Sequence, residues 1–264
     1  MRFYIFLFFI SATTLFAQQN NGFLVYHTIV NNSNGTSFAS EYELYFGSEV
    51  SLYIKRGSAK MIKGKKTKEE LRNGTVIRNE VQILKPKKEN FYFSNFKTKE
   101  LVFRETVAQE LYTIRDSVNE ILWKLKNEFK TVGDYKCQKA TTSYRGRNYV
   151  AWFTSDIPVS YGPWKLQGLP GLILEASDSR GQYEFKASKM NLGITSEFMK
   201  TKLKLPDDVK KTKEMPIYIE ALKNESEDIL ARARATLPKG ARIVEDEDCD
   251  ECPKRYHMAK EIYN

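Results

Sequence analysis

Along the first two thirds of the chain, apolar and aromatic residues alternate with polar ones in short runs separated by turn residues, the period-two signature of half-buried β-strands. Residues 23–30 form the first run, and Asn31-Asn32-Ser33-Asn34-Gly35 supplies the loop behind it. In the next run Tyr42, Leu44 and Phe46 alternate against Glu41, Glu43 and Tyr45, which places an apolar face on one side of a strand. Further strands are predicted over residues 50–55, 75–85, 91–96, 100–107 and 109–115. A hairpin follows, with its tip at Tyr144-Arg145-Gly146-Arg147 and a return strand carrying Tyr149, Val150, Ala151, Trp152 and Phe153. Two more strands are expected at residues 172–177 and 182–190. Because no helical pattern intervenes before residue 190, the order is hairpin after hairpin, and a doubly wound fold is not expected.

The period changes after Leu205. Pro206-Asp207-Asp208 is a helix-start signal, and Pro216 opens a second helical run in which Ile219, Leu222, Ile229, Leu230 and Ala233 recur at helical spacing before Pro238-Lys239-Gly240. Residues 188–204 show no period that places them. The expected fold is therefore mostly β (α+β), a strongly curved antiparallel sheet or half-barrel with a helical segment near the C-terminus.

The N-terminus has its own pattern: Met1-Arg2, an unbroken apolar stretch over residues 3–10, then small and apolar residues up to Ala17, with Gln18 and Gln19 behind. That is the layout of a secretory signal peptide, and the apolar stretch falls short of the about 20 residues a membrane-spanning helix needs. Cleavage is expected between Ala17 and Gln18, and no transmembrane helix remains after processing. Residues 18–243 then form a single β-rich domain with C-terminal helices, and residues 244–264 a partly ordered charged tail. The expected location is exported, in the periplasm or associated with the outer membrane.

Net charge is +9, one unit of which leaves with Arg2. The excess is local: Lys60, Lys63, Lys65, Lys66 and Lys68 cluster beside Gly57 and Gly64, whereas residues 245–251 are strongly acidic. Such a run is read as a solvated loop. No nucleic-acid recognition motif accompanies it, so no nucleic-acid partner is expected.

The segment Trp164-Lys165-Leu166-Gln167-Gly168-Leu169-Pro170-Gly171-Leu172-Ile173-Leu174 combines turn chemistry, an aromatic and a branched apolar run. Leu169 before Pro170 is pushed to extended geometry, and Pro170-Gly171 suits the centre of a type II turn, with Gly171 supplying a positive φ. Gly168, Pro170 and Gly171 are accordingly read as a structural turn that sets the register of a buried strand. Trp152, Trp164, Leu166 and Leu169 are the candidate binding residues, as an apolar lip over a ligand cavity.

Taken with residues 135–141, Ala151-Trp152-Phe153-Thr154, Asp156-Ile157-Pro158 and Gly162-Pro163, this segment resembles the core of the GLPGLI family of Bacteroidetes envelope proteins over about the central third of the chain. The resemblance implies an exported protein and supplies no catalytic residues to carry over. Leu122-Trp123-Lys124-Leu125 is compatible with it but less specific.

Three cysteines survive processing, Cys137, Cys249 and Cys252, and in an exported protein a disulfide is the default; Cys249 with Cys252, or Cys137 with either, are the open pairings. Acidic neighbours raise the thiols of Cys249 and Cys252 and disfavour redox work. Cys249, Cys252 and His257 have zinc-ligand chemistry, but the second ligand pair of a structural site is missing, so no metal and no cofactor are expected. His27 and His257 are the chain's histidines, no nucleophile elbow or phosphate-binding glycine loop occurs, and no catalytic residue is assigned. The expected function is a non-catalytic envelope binding or accessory protein that holds an apolar ligand or docks an outer-membrane partner. The alternatives are an envelope hydrolase or thiol redox enzyme, or a structural partner of an outer-membrane complex.

Overall fold

The computed structural model describes residues 21–31, 37–57, 88–236 and 260–263. Six antiparallel strands run as a meander: β1 (Gly22–Asn31), β2 (Ser37–Phe46), β3 (Val50–Lys55), β4 (Phe91–Asn95), β5 (Glu100–Val107) and β6 (Glu110–Ser117). Five more form a second meander: β7 (Lys124–Val132), β8 (Tyr135–Tyr144), β9 (Arg147–Thr154), β10 (Leu172–Asp178) and β11 (Tyr183–Leu192). Antiparallel pairing of β1 with β11 joins the two, and the two-residue β12 (Lys213–Glu214) adds in parallel to β6. The result is one open sheet of 12 strands in the order β12-β6-β5-β4-β3-β2-β1-β11-β10-β9-β8-β7.

The expected strands match closely from β1 to β6 and from β8 to β11: in β1 and β9 alternation reflects one buried face, whereas β3 and β5 carry continuous buried runs because both of their faces are covered. β7 carries no such signal: all but two of its residues are exposed. The strand expected at residues 75–85, the lysine cluster, the expected signal peptide and cleavage site, Cys249, Cys252 and His257 lie outside the described residues.

Among the described residues two helices accompany the sheet, α1 (Ser196–Lys202) and α2 (Met215–Thr236). Thr195 caps α1 by accepting from the amide of Phe198, a start signal hidden in the segment that showed no period. The helix expected to start at Pro206-Asp207-Asp208 does not form. Instead the Asp208 carboxylate is held 3.0 Å from the Arg104 guanidinium, while Leu203, Leu205 and Val209 pack on a small cluster of Leu52, Phe91 and Val102. Among the described residues no helix is long and apolar enough to cross a membrane.

The sheet is curved. On a flat sheet β5 and β9, seven strand positions apart, would be separated by roughly 34 Å at the usual spacing of about 4.8 Å. Yet Lys260 alone touches both, its ammonium 3.1 Å from Glu105 of β5 and its carbonyl 3.3 Å from the Tyr149 hydroxyl of β9. One continuous core fills the concave side, with side chains from both meanders, the loop between β9 and β10, and Tyr218 of α2.

Candidate functional site

The loop over residues 155–171 carries the Trp164 to Leu174 motif and lies inside the curve, not outside it. Backbone bonds tie it down: the amides of Leu172 and Ile173 donate to the carbonyls of Ile157 and Tyr161, each at 3.0 Å, and the Gly168 amide reaches Ser160 at 3.0 Å. The Trp123 indole N–H donates to the Gln167 carbonyl at 2.7 Å, and the Tyr161 hydroxyl donates to the Gly47 carbonyl at 2.6 Å, so both meanders clamp the loop.

The turn differs from the one expected. Gly171 does not adopt a positive φ; Gly168 does, at 90°, and so does Trp164, at 57°. The turn closed by a backbone bond is Pro163 to Leu166, at 3.1 Å, rather than Leu169 to Leu172. Gly171 is still indispensable for another reason: a Cβ there would fall onto the Thr154 carbonyl. Close packing of one backbone on another, invisible in a local pattern, sets that glycine.

Nor do the four candidate binding residues form one lip. Trp164, Leu166 and Leu169 are buried core members, whereas Trp152 sits half-buried between Ala151 and Phe153 and so points to the other face of β9. There Lys130 lies over its ring at 4.6 Å. His27 likewise sits between the inward Tyr26 and Thr28 and faces outward. Cys137 is a buried free thiol, pushed up to about 11 by burial and by the charge of Glu175, which leaves it protonated at neutral pH.

What the curve gathers instead is a set of ionic side chains. Lys165, buried to 4 % exposure beside Trp164, places its ammonium 3.6 Å over the Phe103 ring and pairs with the carboxylate of Glu261, itself 2 % exposed. Glu105 on β5 accepts from the hydroxyls of Tyr92 and Tyr218 and from the Lys260 ammonium at 3.1 Å. Arg145, at the hairpin tip with a φ of 51°, holds Asp116 at 2.6 Å, donates to the Tyr263 hydroxyl at 2.6 Å and lies 3.8 Å from Glu261. Three cations, Lys165, Lys260 and Arg145, thus meet three carboxylates, Glu105, Glu261 and Asp116.

Burial is the largest influence on the titration of Lys165 and of Glu105, but it prevails only in the first. It lowers Lys165, against the opposing pull of Glu261 and Glu105. It would raise Glu105, but Lys260, Lys165 and the Tyr218 hydroxyl outweigh it and leave that carboxyl below its ordinary value. Both lysines therefore depend on carboxylates for their charge, and one partner of each pair comes from residues 260–263.

The surrounding wall also meets the backbone of that short segment. The Ile262 amide donates to the Arg145 carbonyl at 2.9 Å, the Tyr149 hydroxyl donates to the Lys260 carbonyl, and a Cβ on Gly146, whose φ is 76°, would collide with the Ile262 carbonyl. One donor stays unclaimed: among the described residues the indole N–H of Trp164 is the buried side-chain polar atom without a hydrogen-bond partner. An open groove of about 500 Å³ borders the cluster at Asp116 and runs past Lys99, Arg115 and Pro216.

None of the six ionic residues stood out by pattern. Lys165 offered the best signal, a lysine inside an otherwise apolar run; Glu105 and Arg145 look like ordinary strand and hairpin residues, and Lys260 and Glu261 sit in a segment read as tail.

A comparison with curated protein sequences gives no match. Among solved structures, that of PNGF-II is similar at 17 % identity over 78 % of this chain, with a TM-score of 0.48; the chain spans 33 % of the length of that protein. A LolA superfamily protein from Nitrosomonas europaea is similar at 9 % identity over 69 % of this chain and 90 % of its own, with a TM-score of 0.30. A putative outer membrane lipoprotein-sorting protein domain from Vibrio parahaemolyticus is similar at 7 % identity over 69 % and 90 %, also with a TM-score of 0.30. A family model described as a protein of unknown function (Porph_ging) matches residues 144–175, which run from the hairpin tip through the buried loop into β10.

Proposed function

We propose that this chain is an exported envelope protein of the GLPGLI type that binds without catalysing, docking a segment of a partner on the concave face of its sheet. In this reading residues 1–17 are removed and residues 18–243 act as one domain in the periplasm or at the outer membrane. The observation that carries it is the ionic cluster beneath the Trp164 loop. An apolar ligand laid against Lys165 and Glu105 would leave two buried ions without partners, and breaking such a pair costs about 3–5 kcal/mol. A ligand that brings its own charges avoids that loss. A polypeptide does so while also matching backbone donors and acceptors, as residues 260–263 do here. A catalytic reading is less well supported, since the ionisable groups on the concave face are paired with one another and covered.

The test is purification of the native protein from the envelope, followed by mass spectrometry of whatever remains bound, beside a Lys165→Met variant. A polypeptide retained by the wild type and lost from the variant is expected. Retention of a lipid with no polypeptide would overturn the reading. A second reading, as a structural partner of an outer-membrane complex, is favoured by one observation: Leu122 is 78 % exposed beside half-exposed Leu125 and Phe129 along the free edge at β7. Charged substitutions there would then weaken assembly without altering the concave site.

A further inference from the structure

The recognition chemistry of the concave site is more specific than a general preference for charged ligands. We infer that it is a receptor for a short peptide carrying a basic side chain immediately followed by an acidic one and, two residues on, an aromatic hydroxyl, and that residues 260–263 are its resident occupant, exchanged when such a peptide arrives. This rests on reading the concave face as the ligand site.

Five elements supply the receptor, and their groups together match the features of the segment. Glu105 of β5 and Tyr92 of β4 take the basic side chain at 3.1 and 3.2 Å. Lys165, in the loop, takes the acidic one. Arg145, between β8 and β9, contributes its carbonyl to a peptide amide and its guanidinium to the aromatic hydroxyl. Tyr149 of β9 donates to a peptide carbonyl. Glu105 and Lys165 are fixed by their own surroundings, the first by the hydroxyls of Tyr92 and Tyr218 and the second by the Phe103 face, so the order basic then acidic is written into the wall. Reversing the pair would set like charges opposite one another.

Two features argue for exchange. Burying ion pairs yields little net stability, because desolvation offsets most of the attraction, so a short segment held chiefly by two such pairs is held modestly. The Trp164 indole N–H, on the residue next to Lys165, is buried and unclaimed among the described residues, so the resident segment does not satisfy every donor of the loop that holds it. The lowering of Lys165 by burial agrees with a cation that is easily left short of partners.

The probe is a synthetic peptide, Lys-Glu-Ile-Tyr-Asn, labelled with fluorescein through an N-terminal glycine spacer and titrated with the full chain by fluorescence anisotropy. Wild-type protein should bind it weakly, because the resident segment competes. The full-length double variant Lys260→Ala, Glu261→Ala should bind at least about tenfold more tightly, since apparent affinity scales with the fraction of open sites. Adding Lys165→Met should abolish saturable binding, and a probe with its Lys and Glu interchanged should bind at least about tenfold more weakly than the original. Equal affinity of wild type and double variant, or equal affinity for the two probes, would overturn the inference.

Should the double variant fail to fold, hydrogen exchange on wild-type protein decides: saturating probe must speed exchange at the Ile262 amide, and unchanged exchange refutes the proposal. A partner found by native purification alongside unchanged exchange would leave the docking function standing and remove only this mode of recognition.

Discussion

At the scale of single residues, glycine positions report contacts rather than freedom alone. Gly171→Ala places a methyl group against the Thr154 carbonyl inside a packed core and should destabilise the protein by about 2 kcal/mol or more, read as a lower melting temperature. Gly146→Ala should cost about 1 kcal/mol or more through its positive φ and should also speed hydrogen exchange at the Ile262 amide, because the added methyl collides with Ile262 itself. Glu105 makes stability depend on pH. Its folded carboxyl sits below the ordinary value, so the unfolded chain binds the proton more readily; its contribution is present above an unfolded value near about 4.5 and is lost as pH falls through the folded one. Urea midpoints measured from about pH 7 to about pH 3 should therefore fall more steeply for wild type than for Glu105→Gln, and parallel curves would show that the Lys260 pairing carries no linkage. These side chains were not legible individually. A glutamate in a strand reads as a solvent-facing residue until the partner that pays for its burial, here 155 positions away, is known.

Elements were far more legible than residues. Strands from β1 to β6 and from β8 to β11 are legible because each sends side chains into the interior, by alternation in β1 and β9 and by a continuous buried run in β3 and β5, whereas β7 lacks both because it is exposed, and α1 escaped notice because seven residues with one buried methionine leave almost no period. β7 also shows how such an edge is kept soluble: Lys124 and Lys126 stand exposed along it, and a register shift between Leu125 and Phe129 breaks its regularity. Lys124→Val with Lys126→Val should raise self-association at micromolar concentration, seen by light scattering; a monodisperse variant would show that the irregular register alone protects the edge. The loop over residues 155–171 is the element whose role changed most. Its prolines and glycines mark irregular backbone correctly, but irregular backbone is normally found at the surface, and only the bonds to Gly47, Gln167 and Ile157 explain how this stretch is satisfied in the interior.

For the whole molecule, the pairing of β1 with β11 matters most, since it makes two meanders one sheet with a shared main core. Trp123, Trp152 and Trp164 all belong to the second meander or its connections, so tryptophan fluorescence reports that half while far-ultraviolet dichroism reports both. Thermal transitions followed by the two signals should coincide; separate midpoints would mean that the β1 to β11 ladder does not couple the halves. By itself the sequence determined the strand-rich class, the absence of a doubly wound order, the hairpin at Arg145-Gly146 and the helix after Pro216, because each of these follows from periodicity or turn chemistry within a few neighbouring residues. Tertiary structure decided the curvature, the burial of the Trp164 loop, the reason for Gly171 and the assembly of Lys165, Glu105 and Arg145 around residues 260–263. Those depend on contacts between residues up to 168 positions apart, and a pair so distant leaves no local pattern in either partner's surroundings.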